Sequence, residues 1–142
     1  MKKIIFMAGI LSLITNVSIA ADKKLDRKQI YELQKDCAKS ALDYFQRHTD
    51  CENGQVQYKN HYNIILNKCF IHISSWCPDN KNAGKHFWVK TVIDVNENKQ
   101  YAQYIGSGSI NETNAWCYFD GMSRKCTNYF DFEERIIPYM KE

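Results

Sequence analysis

His61-Tyr62-Asn63-Ile64-Ile65-Leu66-Asn67-Lys68-Cys69-Phe70-Ile71-His72-Ile73-Ser74-Ser75-Trp76 is the longest apolar-rich run after the amino-terminal segment, and its reading decides the fold. From Cys69 onward the side chains alternate: Cys69, Ile71 and Ile73 fall on one side, Phe70, His72 and Ser74 on the other. A period of two carried by β-branched and aromatic residues predicts a strand with one face buried. Cys69 lies on the apolar side, so its sulfur is expected in the core. In the first half, Ile64-Ile65-Leu66 is apolar without alternation and Asn67-Lys68 can bend the chain. That pattern predicts an irregular or extended approach to the strand.

Working outward, Asp26 to about His48 reads as an amphipathic helix. Ile30, Leu33, Cys37, Ala41 and Tyr44 recur at three- and four-residue spacing and make one apolar stripe. Asp26 with Gln29 three residues on has the form of a capping box. His48 to Lys59, with Asp50, Cys51, Asn53 and Gly54, is rich in turn formers, as is Cys77 to Gly84. His86 to Val95 alternates as a second strand. Asn96-Glu97-Asn98 is a turn, and Lys99 to Ile105 is a third strand with Tyr101 and Ile105 on one side and Ala102 and Tyr104 on the other. Gly106-Ser107-Gly108-Ser109 is a flexible connection without the residues of a phosphate loop or a nucleophile elbow. Ala115 to Phe119 is a fourth strand, followed by the turn signal Asp120-Gly121. Thr127 or Asn128 can cap a last helix whose apolar face is Phe132, Ile136 and Met140, with Pro138 limiting it. Helix, strands with short turns, then helix predicts an α+β fold. An N-terminal and a C-terminal helix pack on one side of an antiparallel sheet of about four to five strands.

Residues 1–20 have the form of a secretory signal peptide. Lys2-Lys3 start it, Ile4 to Ile14 is its apolar stretch, and Ser18-Ile19-Ala20 is a small-x-small site that predicts cleavage after Ala20. The apolar stretch is short for a spanning helix, which needs about 20 residues, so no transmembrane segment is expected after cleavage. Residues 21–142 then form a single α+β domain. Removing Lys2 and Lys3 from the 19 basic residues leaves 17 against 16 acidic ones. That near-balance argues against nucleic acid, which needs a basic excess or patch.

Cys37, Cys51, Cys69, Cys77, Cys117 and Cys126 are an even set in a chain read as exported to the periplasm or medium. They predict up to three disulfides, with fifteen connectivities open. None has C-x-x-C spacing, which argues against a zinc knuckle or a redox pair. Cys37 on the helix stripe and Cys69 on the strand's core side can meet if the helix packs on the sheet. Cys51 and Cys77 both sit at loop edges and can pair. Cys117 and Cys126 face each other if the chain folds back over a four-residue loop.

Three stretches carry a resemblance: Asp36-Cys37-Ala38-Lys39-Ser40-Ala41; Tyr58-x-x-His61-Tyr62-Asn63-x-x-Leu66-Asn67-Lys68-Cys69-Phe70; and Cys126 followed by Phe132-Glu133-x-x-Ile136-x-Pro138-Tyr139-Met140. With them the chain resembles a group of small, largely uncharacterised exported proteins of Gram-negative bacteria, over nearly all of residues 21–142. Cys51 and Cys77 look like an addition to that pattern, which favours their pairing with each other. The resemblance implies no particular activity.

For chemistry, His61 with Asn63 is the most suggestive polar cluster, since a histidine can act as a general base and an asparagine can orient it. No paired nucleophile stands at a recognisable spacing, and the alternative role is hydrogen bonding to backbone at the start of the strand. His72 with His86 or His48 has no H-x-x-x-H or H-E-x-x-H spacing, so no metal and no cofactor are expected. A sheet covered by helices on one side leaves its other face open. Phe70, His72, Trp76, Trp88 and Tyr104 would then either form a binding surface for a protein or small ligand or only pack across strands. Asn111-Glu112-Thr113 matches a glycosylation acceptor but reads as an ordinary loop. The sequence therefore predicts a non-enzymatic binding module of the envelope or secreted space, with a small hydrolase built around His61 as the alternative.

Overall fold

The computed structural model describes residues 25–48, 51, 54–79, 86–107, 115–120, 122–126 and 128–141. The segment 1–20 with its Ala20 site, and Asn111-Glu112-Thr113, lie outside these residues. The first helix, α1, spans Arg27–His48. Its capping box forms: the Gln29 amide donates to Asp26 Oδ1 at 2.8 Å, and the Asp26 amide donates to Gln29 Oε1 at 3.0 Å. Two orphan amides at the helix start are thereby satisfied.

The run that begins at His61 covers the end of one strand, a turn and most of the next strand of a hairpin. β1 is Gln55–Asn63 and β2 is Lys68–Pro78, antiparallel, joined by the turn 64–67. β1 corrects the reading of residues 48–67 as turn and irregular approach. Asn63 accepts from the Leu66 amide at 2.9 Å, and Asn67 takes a positive φ of 51°, a conformation asparagine tolerates. The next hairpin repeats the device. β3 (His86–Asp94) and β4 (Lys99–Ser107) are joined by 95–98, where Asp94 accepts from the Asn96 amide at 3.0 Å and Asn98 has φ 49°. An Asx residue, three turn residues, an Asn and a Lys mark both turns.

β5 (Trp116–Phe119) and β6 (Met122–Lys125) complete a six-stranded meander in the order β1-β2-β3-β4-β5-β6. Their turn is tighter than the four-residue loop expected. Asp120 has φ 46°, Phe119 pairs with Met122, and Cys117 stands opposite Arg124. Cys126 lies beyond the end of β6 and still bonds to Cys117. The other disulfides are Cys37–Cys69 and Cys51–Cys77, and no described cysteine is free.

The helices lie on opposite faces of the sheet, not on one. Ala41 and Tyr44 of α1 pack on Ile71, Ile73 and Ile93, while Cys37 joins Cys69 and Tyr62. Phe70 points the other way. With Val92, Ala102 and Tyr104 it packs under Phe132 and Ile136. These come from α2 (Tyr129–Arg135), capped by Asn128, and from the junction with α3 (Ile137–Met140). Pro138 sits in the first turn of α3, where its missing amide proton costs nothing. Asn63 Nδ2 donates to Pro138 O at 2.9 Å, so the turn side chain of the first hairpin also anchors the chain end. One further departure from alternation follows from a β-bulge. The β3–β4 register shifts between Val92 and Ile93, and Tyr101 joins Ala102 and Tyr104 beneath α3, its ring edge-on to Phe70 at 5.2 Å.

Cys37–Cys69 links α1 to the central strand across 32 residues. The double variant Cys37→Ser/Cys69→Ser is expected to lose on the order of 2–5 kcal/mol of stability, read from urea unfolding under oxidising conditions. An unchanged midpoint would show that packing of Ala41 and Tyr44 alone holds α1.

Candidate functional site

The face of the sheet beneath α2 and α3 carries an unusual set of inward polar groups. His72 is on β2 opposite Lys59 of β1, and Lys90 is on β3 opposite Ser74. Lys90 is only 7% exposed and His72 only 8%. A buried ammonium needs a partner, and α2 supplies two. Lys90 Nζ donates to Tyr129 Oη at 2.7 Å and to Glu133 Oε1 at 2.8 Å, and it lies 4.1 Å from the Tyr129 ring centroid. The Lys90 ammonium holds the Glu133 carboxyl below its usual range against the opposing effect of burial. These two charges are spent on each other.

His72 is different. Burial lowers its pKa from 6.5 to about 4, and the Lys90 and Lys59 ammonium groups act in the same direction against the pull of Glu133. The imidazole is therefore neutral at pH 7. Its Nε2 lies 3.9 Å from Glu133 Oε1, beyond hydrogen-bond reach. The Nε2 atoms of His72 and His61 are both buried without a hydrogen-bond partner.

Both histidines line one cleft of about 380 Å³ between β1 and the C-terminal helices. Its polar lining is Lys59, Asn60, His61, His72, Glu133, Glu134 and Lys141, and its apolar lining is Ile136, Ile137 and Met140. Glu133 is shared with a second depression of about 240 Å³ that continues past Ser74 and Lys90. A third, of about 180 Å³, lies among Trp88, Lys90, Tyr104 and Tyr129. The three share lining residues and run along α2 and α3. No hydroxyl or thiol side chain lines the His61 cleft among the described residues. Nor do three His, Cys, Asp or Glu side chains converge there as metal ligands do.

The residues named from sequence are partly brought together. His61 and His72 share the cleft, whereas Asn63 is 1% exposed and engaged with the backbone at Leu66 and Pro138. The open aromatic face is not present as expected. α2 and α3 cover Phe70 and Tyr104, which are 0% and 2% exposed. Trp76 and Trp88 remain half-buried near the strand ends, with Trp76 stacked on His86 at 3.9 Å. Gly106 lets the Tyr104 ring lie back over its own strand, since a Cβ there would stand 2.6 Å from the tyrosine hydroxyl. The residues missed were Lys59, Lys90, Tyr129 and Glu133. The available signal was Lys90 itself, a charge on the same side of its strand as Trp88 and Val92.

No family model, curated protein or solved structure matches the chain.

The neutrality of His72 has a consequence for acid stability. Between its ordinary pKa of 6.5 and its folded value of about 4, the unfolded chain binds a proton at His72 that the folded chain does not. Stability is therefore full above pH 6.5 and is lost as pH falls through that window. From pH 7 to pH 5 this residue should cost on the order of 2 kcal/mol. Urea unfolding of native protein and of His72→Gln at the two pH values checks this: the variant should lose distinctly less stability on acidification, and equal losses would refute it.

Proposed function

We propose that this protein is a small exported binding module, stapled by its disulfides, which receives a ligand in the cleft between β1 and α3. The observation that carries this reading is the pair of buried, unbonded imidazole Nε2 atoms on two residues that share a cleft with Ile136, Ile137 and Met140. Buried polar groups are ordinarily satisfied, and two orphans in one concave site mark a place where something else supplies the partner. Three disulfides suit an oxidising compartment outside the cytosol. None of the described helices is long and apolar enough to cross a membrane. Periplasm and medium are both compatible with the exported reading, as is the resemblance to small exported Gram-negative proteins.

A hydrolytic reading has one observation in its favour: His61 shares its cleft with Glu133 and Glu134. Against it, Lys90 already occupies Glu133, burial makes His72 a weak base, and the cleft lining supplies no hydroxyl or thiol nucleophile.

Native protein and an Ile137→Asp variant, immobilised in oxidised form, separate the two readings. Ile137 is 43% exposed, so the substitution alters the cleft wall at little cost to folding. Saturable capture of a ligand from envelope or medium extracts by the native protein, lost in Ile137→Asp, is the expected result. Turnover in a panel of ester, peptide and glycoside substrates that His61→Ala abolishes would replace this reading with the hydrolase.

A further inference from the structure

The cleft is specified more closely by its corner of nitrogen groups, and we infer that it takes a carboxylate carried on an apolar body. This inference rests on the reading of the cleft as a ligand site. Lys59 and His61 are next but one along β1 and share a face, and His72 is the direct register partner of Lys59 across β1 and β2. All three line the cleft. The two imidazole Nε2 atoms have no hydrogen-bond partner. The Lys59 side chain forms no ion pair with any described residue. The nearest carboxylate, Glu133, is committed to Lys90 at 2.8 Å and stands 3.9 Å from His72 Nε2. The corner of Lys59, His61 and His72 thus holds three nitrogen groups without a partner among the described residues, within a lining that also includes Asn60 and Glu134.

A carboxylate fits that deficit. It has two oxygens and about four acceptor positions, and its bonds to an ammonium and to imidazole N–H groups are charge-assisted. An ammonium ligand would meet Lys59 and the exposed Lys141 at the rim, and an alcohol would accept from at most two donors without the charge that strengthens a carboxylate's bonds. The opposite wall of Ile136, Ile137 and Met140 offers no polar side-chain partner except the weak thioether acceptor. The body of the ligand must therefore be apolar to gain from burial there. A volume of about 380 Å³ admits a short aliphatic acid or the last residue of a peptide chain, not a folded partner. These two sources present the same chemistry.

Titration calorimetry of the oxidised protein with octanoate and with N-acetyl-leucine tests the inference, with octylamine and octanol as controls. At least one of the two acids should bind saturably, and the two controls should bind much more weakly. Tighter binding of N-acetyl-leucine would assign the site to peptide carboxyl termini, and tighter binding of octanoate to free aliphatic acids. Lys59→Gln should weaken the acid about tenfold or more, as loss of one charge-assisted bond predicts. Lys59 is exposed, so an unchanged thermal melt confirms that the variant folds. Binding should also shift the ring signals of His61 and His72 in proton–nitrogen NMR spectra. Equal binding of octanol or octylamine, indifference to both Lys59→Gln and His61→Gln, or no acid binding at millimolar concentration would overturn the inference. If the acids fail while ligand capture is still lost in Ile137→Asp, this inference falls alone. If Ile137→Asp changes neither, the reading of the cleft falls with it.

Discussion

β2 is buried on both faces over Cys69–Ile73, and a strand so placed needs a cover on each side. Two long-range features meet that requirement. Ile71 and Ile73 receive α1, which Cys37–Cys69 ties down. Phe70 receives Phe132 and the end of the chain. Full burial of such side chains contributes about 1.5–3 kcal/mol each, so neither cover can be lifted without a large loss. The C-terminal cover has no disulfide to the sheet. It is held by Phe132 and Ile136, by the Asn63 hydrogen bond to Pro138, and by the Tyr139 hydroxyl donating to Asp120 at 2.6 Å.

The polar groups beneath that cover follow from the same constraint. A helix laid across the middle of a sheet covers whatever side chains the strands present there, and β2 and β3 present His72 and Lys90. Lys90 is neutralised from above by Glu133 and Tyr129. His72 is accommodated by staying uncharged. What remains is a cleft at the β1 side of the helices in which two imidazole nitrogens lack a hydrogen-bond partner.

Much of this was legible in the residues. The stripe of α1 and its capping box, the second and third strands, the Asn128 cap and the three cysteine pairs all rest on local patterns that the fold respects. β1 was not read, because its alternation rests on Val56, Tyr58 and Tyr62 alone, is broken at Asn60, and the following turn contains Ile64, Ile65 and Leu66. Ile64 packs beside the Cys37–Cys69 bridge, while Ile65 is 80% exposed, so the apolar character of that turn reflects only part of its packing. The better signal was Asn67-Lys68, which matches Asn98-Lys99 in the second hairpin. The two-sided cover was hidden for a related reason. Phe70-x-His72-x-Ser74 looks half polar, and the group that engages Lys90 lies 43 residues further along the chain. Pairing across such a distance leaves no periodicity to read.

The disulfides divide the chain by order of synthesis. Cys37–Cys69 and Cys51–Cys77 interleave, and all four of these cysteines lie before β3 begins. A chain emerging from its amino terminus can therefore be covalently closed around α1 and the first hairpin while residues 128–141 are still being made. During that interval one side of β2 is cross-linked and covered, and the other presents Phe70 bare. The second cover then waits on residues 128–141, whose arrival converts an exposed apolar face into an interior.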